Sequence, residues 1–334
     1  MSQTQFKVVR VDRGGSRIPM ENEARELAKV GAELIGADSS SEEETIEAAK
    51  DADIILTAAA QITRRVMEAL PKLQAVVRYG IGYDTVDVDA ATDNNVIVIN
   101  IPDFCLEEVS THAIMLLLAC NKRLALFNTL VKEGRWAEWG QMRTPMGSYY
   151  GQTLGIVGCG HIGLVTARKA KAFDLKVVGY DPYLDKSVAE AAGITLVTLP
   201  ELLKESDYIS LHTPLNSETR HLIGESELKQ MKPTAYLINT ARGSVIDEPA
   251  LIKALQEGWI AGAGLDVFEK EPVDPDNPLL KMDNVTVTPH SASYCDVAFD
   301  RLYTCVGAEA ARVLSGKWPK NHVNKGVKPK KALS

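Results

Sequence analysis

Gly158-Cys159-Gly160-His161-Ile162-Gly163 stands between an apolar run, Thr153-Leu154-Gly155-Ile156-Val157, and a helical stretch over residues 164–173. A second apolar run, Lys176-Val177-Val178-Gly179-Tyr180, follows, and Asp181 comes directly after it, 23 positions beyond Gly158. A glycine turn alone is only a turn. Strand, glycine-rich turn, helix, strand and acid at this spacing form the fingerprint of a dinucleotide-binding βαβ unit. Gly158 allows the tight turn, Gly160 lets the main chain approach a pyrophosphate, and Gly163 lets the helix pack on the sheet. The N–H groups opening the helix present positive charge to phosphate. Asp181 is suited to accept both hydroxyls of an adenosine ribose and to repel a 2′-phosphate, so the expected cofactor is NAD.

Downstream of this unit the strand pattern continues at residues 208–211, 235–239, 261–265 and 285–287, with helical stretches between. That makes six strands, enough for a doubly wound parallel sheet. Upstream, short runs rich in β-branched residues at 6–11, 54–56, 75–78 and 96–99 alternate with helical stretches at 21–30 and 64–70, which predicts another parallel sheet. One long helix is expected over residues 107–134, then a loop at 136–150. A last helix is expected over 296–314, followed by a solvated basic tail carrying Lys325, Lys328, Lys330 and Lys331. The fold class expected is therefore α/β, with two doubly wound parallel-sheet domains.

The length of 334 residues accommodates two domains, and 45% hydrophobic with 24% charged residues is the balance of a globular chain. A net charge of −7 gives no support to a nucleic-acid partner. The longest apolar run, residues 113–120, is far shorter than the roughly 17–25 residues of a membrane span. The opening Met-Ser-Gln-Thr-Gln-Phe-Lys lacks the pattern of a signal peptide, so no membrane association is expected. Cys105, Cys120, Cys159, Cys295 and Cys305 are odd in number and lack a CxxC spacing. They read as reduced thiols of a cytoplasmic protein, with no metal site.

Three polar residues follow later strands. Arg242 lies in Asn239-Thr240-Ala241-Arg242-Gly243, Glu271 is 29 positions on, and His290, in Thr288-Pro289-His290-Ser291, is 19 beyond that. The carboxyl ends of strands in such a sheet converge on the ligand crevice, so these three can meet there. Their chemistry suits hydride transfer to a keto acid: an imidazole to give the proton, a carboxylate to hold it in register, and a guanidinium for the substrate carboxylate. Taken singly, each has a plainer use as a structural histidine, a surface ion pair or a solvated charge.

The chain resembles the D-isomer-specific 2-hydroxyacid dehydrogenases over roughly residues 6–323. The resemblance rests on the glycine fingerprint and on Tyr79-Gly80-Ile81-Gly82-Tyr83-Asp84, Leu211-His212-Thr213-Pro214-Leu215, the run from Ile238 to Gly243, Gly264-Leu265-Asp266-Val267-Phe268-Glu269 and Thr288-Pro289-His290. It implies that Arg242, Glu271 and His290 are the catalytic set. It implies a discontinuous, flavodoxin-like substrate domain, 1–102 with 293–334, and an inserted NAD-binding domain, 103–292, in a homodimer. It places a substrate-carboxylate cradle at Gly80, Ile81 and Gly82, assisted by Arg242, where the residues alone indicate only a turn. His161 and Ile162 would flank the pyrophosphate, Thr213 the adenosine side and Thr240 the nicotinamide half, with Thr219, Ala241 and Ser291 as further cofactor-binding residues. Asp266 would hold the carboxamide, although an aspartate there also suits a turn cap.

Three departures narrow this further. Thr57 stands where phosphoglycerate dehydrogenases carry an arginine, and Ser293 where the C-terminal-binding proteins carry a tryptophan. Glu271 stands where formate dehydrogenases carry glutamine. The expected function is an NAD-dependent dehydrogenase of small D-2-hydroxy acids, hydroxypyruvate- or glyoxylate-like. The alternative is an NAD(H)-sensing binding protein of the C-terminal-binding-protein type.

Overall fold

The computed structural model describes residues 6–141 and 146–334; the start of the chain read for a signal peptide, and residues 142–145 of the expected loop, lie outside them. The chain divides into two compact units, one formed by the chain up to Phe104 with Cys295–Ser334, the other by Cys105–Tyr294.

The first unit holds β1 (Phe6–Asp12), β2 (Ala32–Asp38), β3 (Ile54–Thr57), β4 (Ala75–Arg78) and β5 (Ile97–Ile99), all parallel in the order β2-β1-β3-β4-β5. This is the flavodoxin-like arrangement. Strands β3 to β5 are buried almost throughout, as expected for strands covered on both faces, and so read as unbroken apolar runs. Strand β2 sits at the edge, is mostly half-exposed and carries no such run, which is why the sequence pattern passed over it. The Asp12 carboxylate, buried at the β1–β3 junction, accepts the Thr57 hydroxyl at 3.2 Å. It also accepts the N–H groups of Ala58, Ala59 and Ala60 at 2.9, 2.8 and 3.3 Å.

Lys325, Lys328, Lys330 and Lys331 of the basic tail are exposed, but the chain that carries them is anchored. Val323 N–H donates to Val98 C=O at 2.8 Å, so the tail runs along the free edge of β5. The Asn324 amide accepts from Val98 N–H at 3.0 Å and donates to Val96 C=O at 2.8 Å and Thr92 Oγ1 at 3.2 Å. Lys330 Nζ reaches Pro71 C=O at 3.0 Å. An edge strand with unpaired main-chain groups is a liability, and the tail covers it.

The second unit holds β6 (Thr153–Val157), β7 (Lys176–Tyr180), β8 (Thr195–Leu196), β9 (Tyr208–Leu211), β10 (Tyr236–Asn239), β11 (Gly262–Leu265) and β12 (Val285–Val287). All pairs are parallel in the order β12-β11-β10-β9-β6-β7-β8. The strand missing from the sequence reading is β8, two residues at the edge. Side chains alternate between two cores: Val157 and Leu237 point into one, Ile156 and Ile238 into the other. The latter core includes Leu116 and Leu117 of the helix Leu106–Asn121.

The single long helix expected over 107–134 is two helices, Leu106–Asn121 and Leu124–Lys132, bent by 62°. Arg123 adopts φ +51°, a left-handed conformation that ends the helical ladder without a glycine or proline to signal it. The expected loop beyond begins with a 3-10 turn, Trp136–Gln141. Among the described residues no single helix is long and apolar enough to cross a membrane. None of the five cysteines is in a disulfide among the described residues.

Replacing Asn324 by alanine strips Val98 N–H and Val96 C=O of their partners. An expected loss of about 1–3 kcal/mol for an unsatisfied buried group would appear as a lower urea midpoint by circular dichroism. An unchanged midpoint would mean that the tail does not stabilise the β5 edge.

Candidate active site

Strands β10, β11 and β12 lie side by side, so the loops leaving their carboxyl ends are neighbours. Arg242 is in the first, Glu271 in the second and His290 in the third. Asn239, fully buried at the end of β10, closes the first loop: its Oδ1 accepts Ala241 N–H at 3.0 Å and its Nδ2 donates to Arg242 C=O at 2.9 Å. A Cβ on Gly243 would lie 1.9 Å from the Phe268 carbonyl carbon, so only glycine lets the first two loops touch main chain to main chain. Arg242 itself is half-buried, and its Nη1 donates to Ala241 C=O at 2.8 Å.

Glu271 Oε2 lies 2.7 Å from His290 Nδ1, and Glu271 Oε1 accepts Phe268 N–H at 3.0 Å. Burial alone would raise the Glu271 carboxyl. The hydrogen bonds from His290 and Phe268, with the charges of His290 and Arg242, outweigh it and hold the group below the usual carboxylate range. A carboxylate only accepts, so Nδ1 carries a proton and Nε2 is the ring nitrogen left for chemistry. His290 is exposed and adopts φ +52°, a conformation that its surroundings must hold. Asp266, 1% exposed, does so: its C=O accepts His290 N–H at 2.7 Å, and its carboxylate accepts the N–H groups of Ser291 and Ala292 at 2.9 Å each.

The glycine turn lies where the strand order reverses, between β6 and its neighbours β7 and β9. Gly158 has φ +90°, and a Cβ there would come 2.8 Å from the main chain of His212 and Thr213. Gly160 caps the helix His161–Lys171, Ile162 follows in its first turn, and Gly163 is buried at its base. Asp181 Oδ2 accepts Cys159 N–H at 2.9 Å, and its Oδ1 accepts Tyr183 and Leu184 N–H at 2.9 and 3.1 Å. The acid is thereby fixed against the turn it serves. The Cys159 thiol is pushed up to about 12, first by burial and then by Asp181, which leaves it inert at neutral pH. Thr219 has its hydroxyl in the local turn, donating to Pro214 C=O at 2.6 Å.

The residues present fit a dinucleotide. Thr213 Oγ1 and Thr240 Oγ1 are buried hydroxyls with no hydrogen-bond partner among the described residues, one on the loop after β9 and one on the loop after β10. Buried polar atoms rarely stay unpaired, and ribose or carboxamide groups offer such partners. Among the described residues no group of three or more His, Cys, Asp or Glu is arranged to hold a metal ion.

Gly80, Ile81 and Gly82 lie in the other unit, after β4. Gly80 takes φ +125°, Ile101 N–H donates to Gly80 C=O at 2.9 Å, and Asn100 Nδ2 donates to Ile81 C=O at 2.7 Å. The turn is held from behind through its carbonyls.

Several supports were not visible in the sequence reading. Asn239 and Gly243 are two, although both stand inside the motif that carries Arg242. A second imidazole–carboxylate pair, His221 Nε2 to Glu269 Oε1 at 2.6 Å, braces the Glu271 loop, with Glu248 Oε2 accepting Glu269 N–H at 3.0 Å. No local pattern marks them, because each partner comes from a different loop.

Fold and site define an oxidoreductase working on 2-hydroxy acids with a nicotinamide dinucleotide. The family model of the D-isomer specific 2-hydroxyacid dehydrogenase NAD binding domain matches residues 114–292. The glyoxylate reductase of Korarchaeum cryptofilum is 44% identical over 284 residues, 84% of this chain and 86% of that protein. The D-3-phosphoglycerate dehydrogenase of Methanocaldococcus jannaschii is 40% identical over 94% of this chain, which spans 60% of that longer protein. Among solved structures, the NADPH-dependent glyoxylate/hydroxypyruvate reductase of Sinorhizobium meliloti, in complex with NADP and malonate, superposes with a TM-score of 0.85. It is 30% identical, over 98% of this chain and 100% of that one. The chain belongs to the D-isomer specific 2-hydroxyacid dehydrogenase family and is an enzyme of that family, which favours the catalytic expectation over the nucleotide-sensing one.

Gly243→Ala forces the Arg242 and Glu271 loops apart. Since a displacement of about 1 Å at a catalytic group can cost 10²-fold, kcat/KM is expected to fall by about that factor. Steady-state assays check this, and wild-type kinetics would show that the contact between the loops is unimportant.

Proposed function

We propose that the enzyme is an NADH-dependent reductase of a small 2-keto acid, glyoxylate or hydroxypyruvate in kind, with Arg242, Glu271 and His290 as its catalytic residues. The observation that carries this reading is the 2.7 Å contact of Glu271 with His290 Nδ1, on a loop beside Arg242. The names of the relatives and of the solved reductase support the substrate class. The bound nicotinamide supplies the hydride.

In reduction His290 Nε2–H donates to the ketone oxygen as negative charge develops there, and Glu271 stabilises the imidazolium and fixes its tautomer. Arg242 pairs its planar fork with the substrate carboxylate and polarises the carbonyl. Gly80, Ile81 and Gly82, in the unit proposed as the substrate domain, form a turn whose main-chain N–H groups suit an anion. His161 and Ile162 serve the pyrophosphate, Thr213 the adenosine side and Thr240 the nicotinamide half, with Thr219, Ala241 and Ser291 as further cofactor-binding residues; Asp266, its carboxylate taken up by Thr288, Ser291 and Ala292, serves as the turn cap.

NAD is favoured over NADP because Asp181 presents a fixed carboxylate, while the adjoining Pro182 and Tyr183 bring no cation for a 2′-phosphate. A homodimer is supported by an exposed apolar set, Leu124, Val131, Trp136, Trp139 and Tyr150, on and after the bent helix pair. Cysteines outside any disulfide and the acidic charge support a cytoplasmic enzyme that binds neither nucleic acid nor membrane.

A panel of 2-keto acids assayed by NADH and NADPH oxidation tests the reading. NADH should be preferred by at least about tenfold, the scale of a lost charge-paired hydrogen bond; equal rates with NADPH would overturn the NAD assignment. His290→Ala should lower kcat by about 10²–10⁴. Arg242→Ala should raise KM as well as lower kcat, because that contact is made in ground and transition states alike. Glu271→Gln removes the carboxylate that accepts from His290 Nδ1 and should lower kcat with KM little changed, and an unchanged kcat would break the pairing.

A further inference from the structure

The helix Leu106–Asn121 packs against β10, β11 and β12 and brings a histidine, His112, to the back of the catalytic turn. Its side chain is 14% exposed. His112 Nε2 lies 2.9 Å from Thr288 Oγ1 and 3.4 Å from Asp266 Oδ1, and Thr288 Oγ1 lies 2.5 Å from the same Asp266 oxygen. A threonine hydroxyl has one proton, and an ionised carboxylate only accepts, so that proton points to Asp266. Thr288 must then accept, and His112 Nε2 must be the protonated nitrogen. The direction of the chain is thus settled: His112 donates to Thr288, and Thr288 donates to Asp266. Burial, opposed by the Asp266 charge, moves His112 below the ordinary imidazole range, which agrees with a neutral ring at neutral pH.

At its far end the chain meets the catalytic loop. The Asp266 oxygen that receives Thr288 also receives Ser291 N–H, the other receives Ala292 N–H, and the Asp266 carbonyl receives His290 N–H. These bonds hold His290 at φ +52°, where a residue with a side chain stays only if its neighbours insist. We propose that His112 is a positioning residue: through Thr288 and Asp266 it orients the turn 290–292 and thereby aims His290 at the ketone. Without its donor, Thr288 loses a partner and the Asp266 carboxylate gains freedom to rotate. His290 can then swing while Arg242 and the glycine turn stay in place.

The inference rests on His290 being the proton donor, and the experiment separates the two claims. Wild type, His112→Leu, His112→Gln, Thr288→Val, the His112→Leu/Thr288→Val double variant and His290→Ala are compared by kcat, KM, melting temperature and NADH affinity from fluorescence quenching. His112→Leu should lower kcat by about tenfold, a fraction of the 10²-fold cost of a full 1 Å misplacement, while KM for the keto acid and NADH affinity stay within about threefold. Glutamine keeps an N–H donor near the Nε2 position and should restore most of the rate at equal melting temperature. Thr288→Val should match His112→Leu, and the double variant should be no slower than the slower single one, as expected for groups acting as one chain. The proposal is overturned if His112→Leu keeps wild-type kcat while His290→Ala is inactive. It is equally overturned if glutamine is no better than leucine, or if the two losses multiply in the double variant. Should His112→Leu fail to fold, the glutamine and valine variants decide: a glutamine variant as slow as Thr288→Val sinks the proposal. Full activity of His290→Ala would instead remove the catalytic reading on which it stands.

Discussion

A buried carboxylate ties the ends of three parallel strands together. Asp266 follows β11, its N–H donates to Asn239 C=O at the end of β10, and its side chain gathers the main chain that follows β12. Burying an aspartate is costly unless its oxygens are fully engaged, and here the Thr288 hydroxyl and two N–H groups engage them. The same bonds that make the burial tolerable stiffen the loop that carries the imidazole. Placement of His290 is therefore a by-product of satisfying Asp266. Parallel pairing of β10, β11 and β12 supplies the rest, since adjacent strands running in one direction deliver their loops to one edge.

Two scales of rigidity meet at that edge. The glycine turn and Asp181 are locked to each other by main-chain donors, so the dinucleotide end is preorganised by local geometry. The end proposed to be catalytic is assembled from three separate loops and depends on contacts such as Gly243 against Phe268 and His221 against Glu269. Preorganised dipoles and charges contribute most where charge develops, and the supporting contacts are concentrated behind Arg242, Glu271 and His290.

Much of the architecture was legible because buried parallel strands are continuous apolar runs: the runs at 153–157, 176–180, 208–211 and 285–287 coincide with strands. The terminal helix Asp296–Leu314 was legible through its length and lack of breakers. Edge strands β2 and β8 escaped because half-exposed residues carry no such signature. The break at Arg123 escaped because an arginine in a left-handed conformation is a tertiary outcome without a breaker residue. Arg242, Glu271 and His290 could be singled out because each follows a strand run, and the structure places Glu271 against His290. His112 and the His221–Glu269 brace were not legible, because their partners are distant in sequence and only the folded sheet supplies them.

The carboxylate of Asp12 has a consequence for the other unit. In an open sheet of order β2-β1-β3-β4-β5 the crevice at the β1–β3 junction is the natural seat for an anionic guest, and successive main-chain N–H groups there would cradle one. In this chain Ala58, Ala59 and Ala60 spend those donors on Asp12. The loop is its own guest: the anion is covalently attached, permanently seated and buried. That seat is closed to an external phosphate, and the glycine turn after β4 is left as the anion cradle implied for this unit.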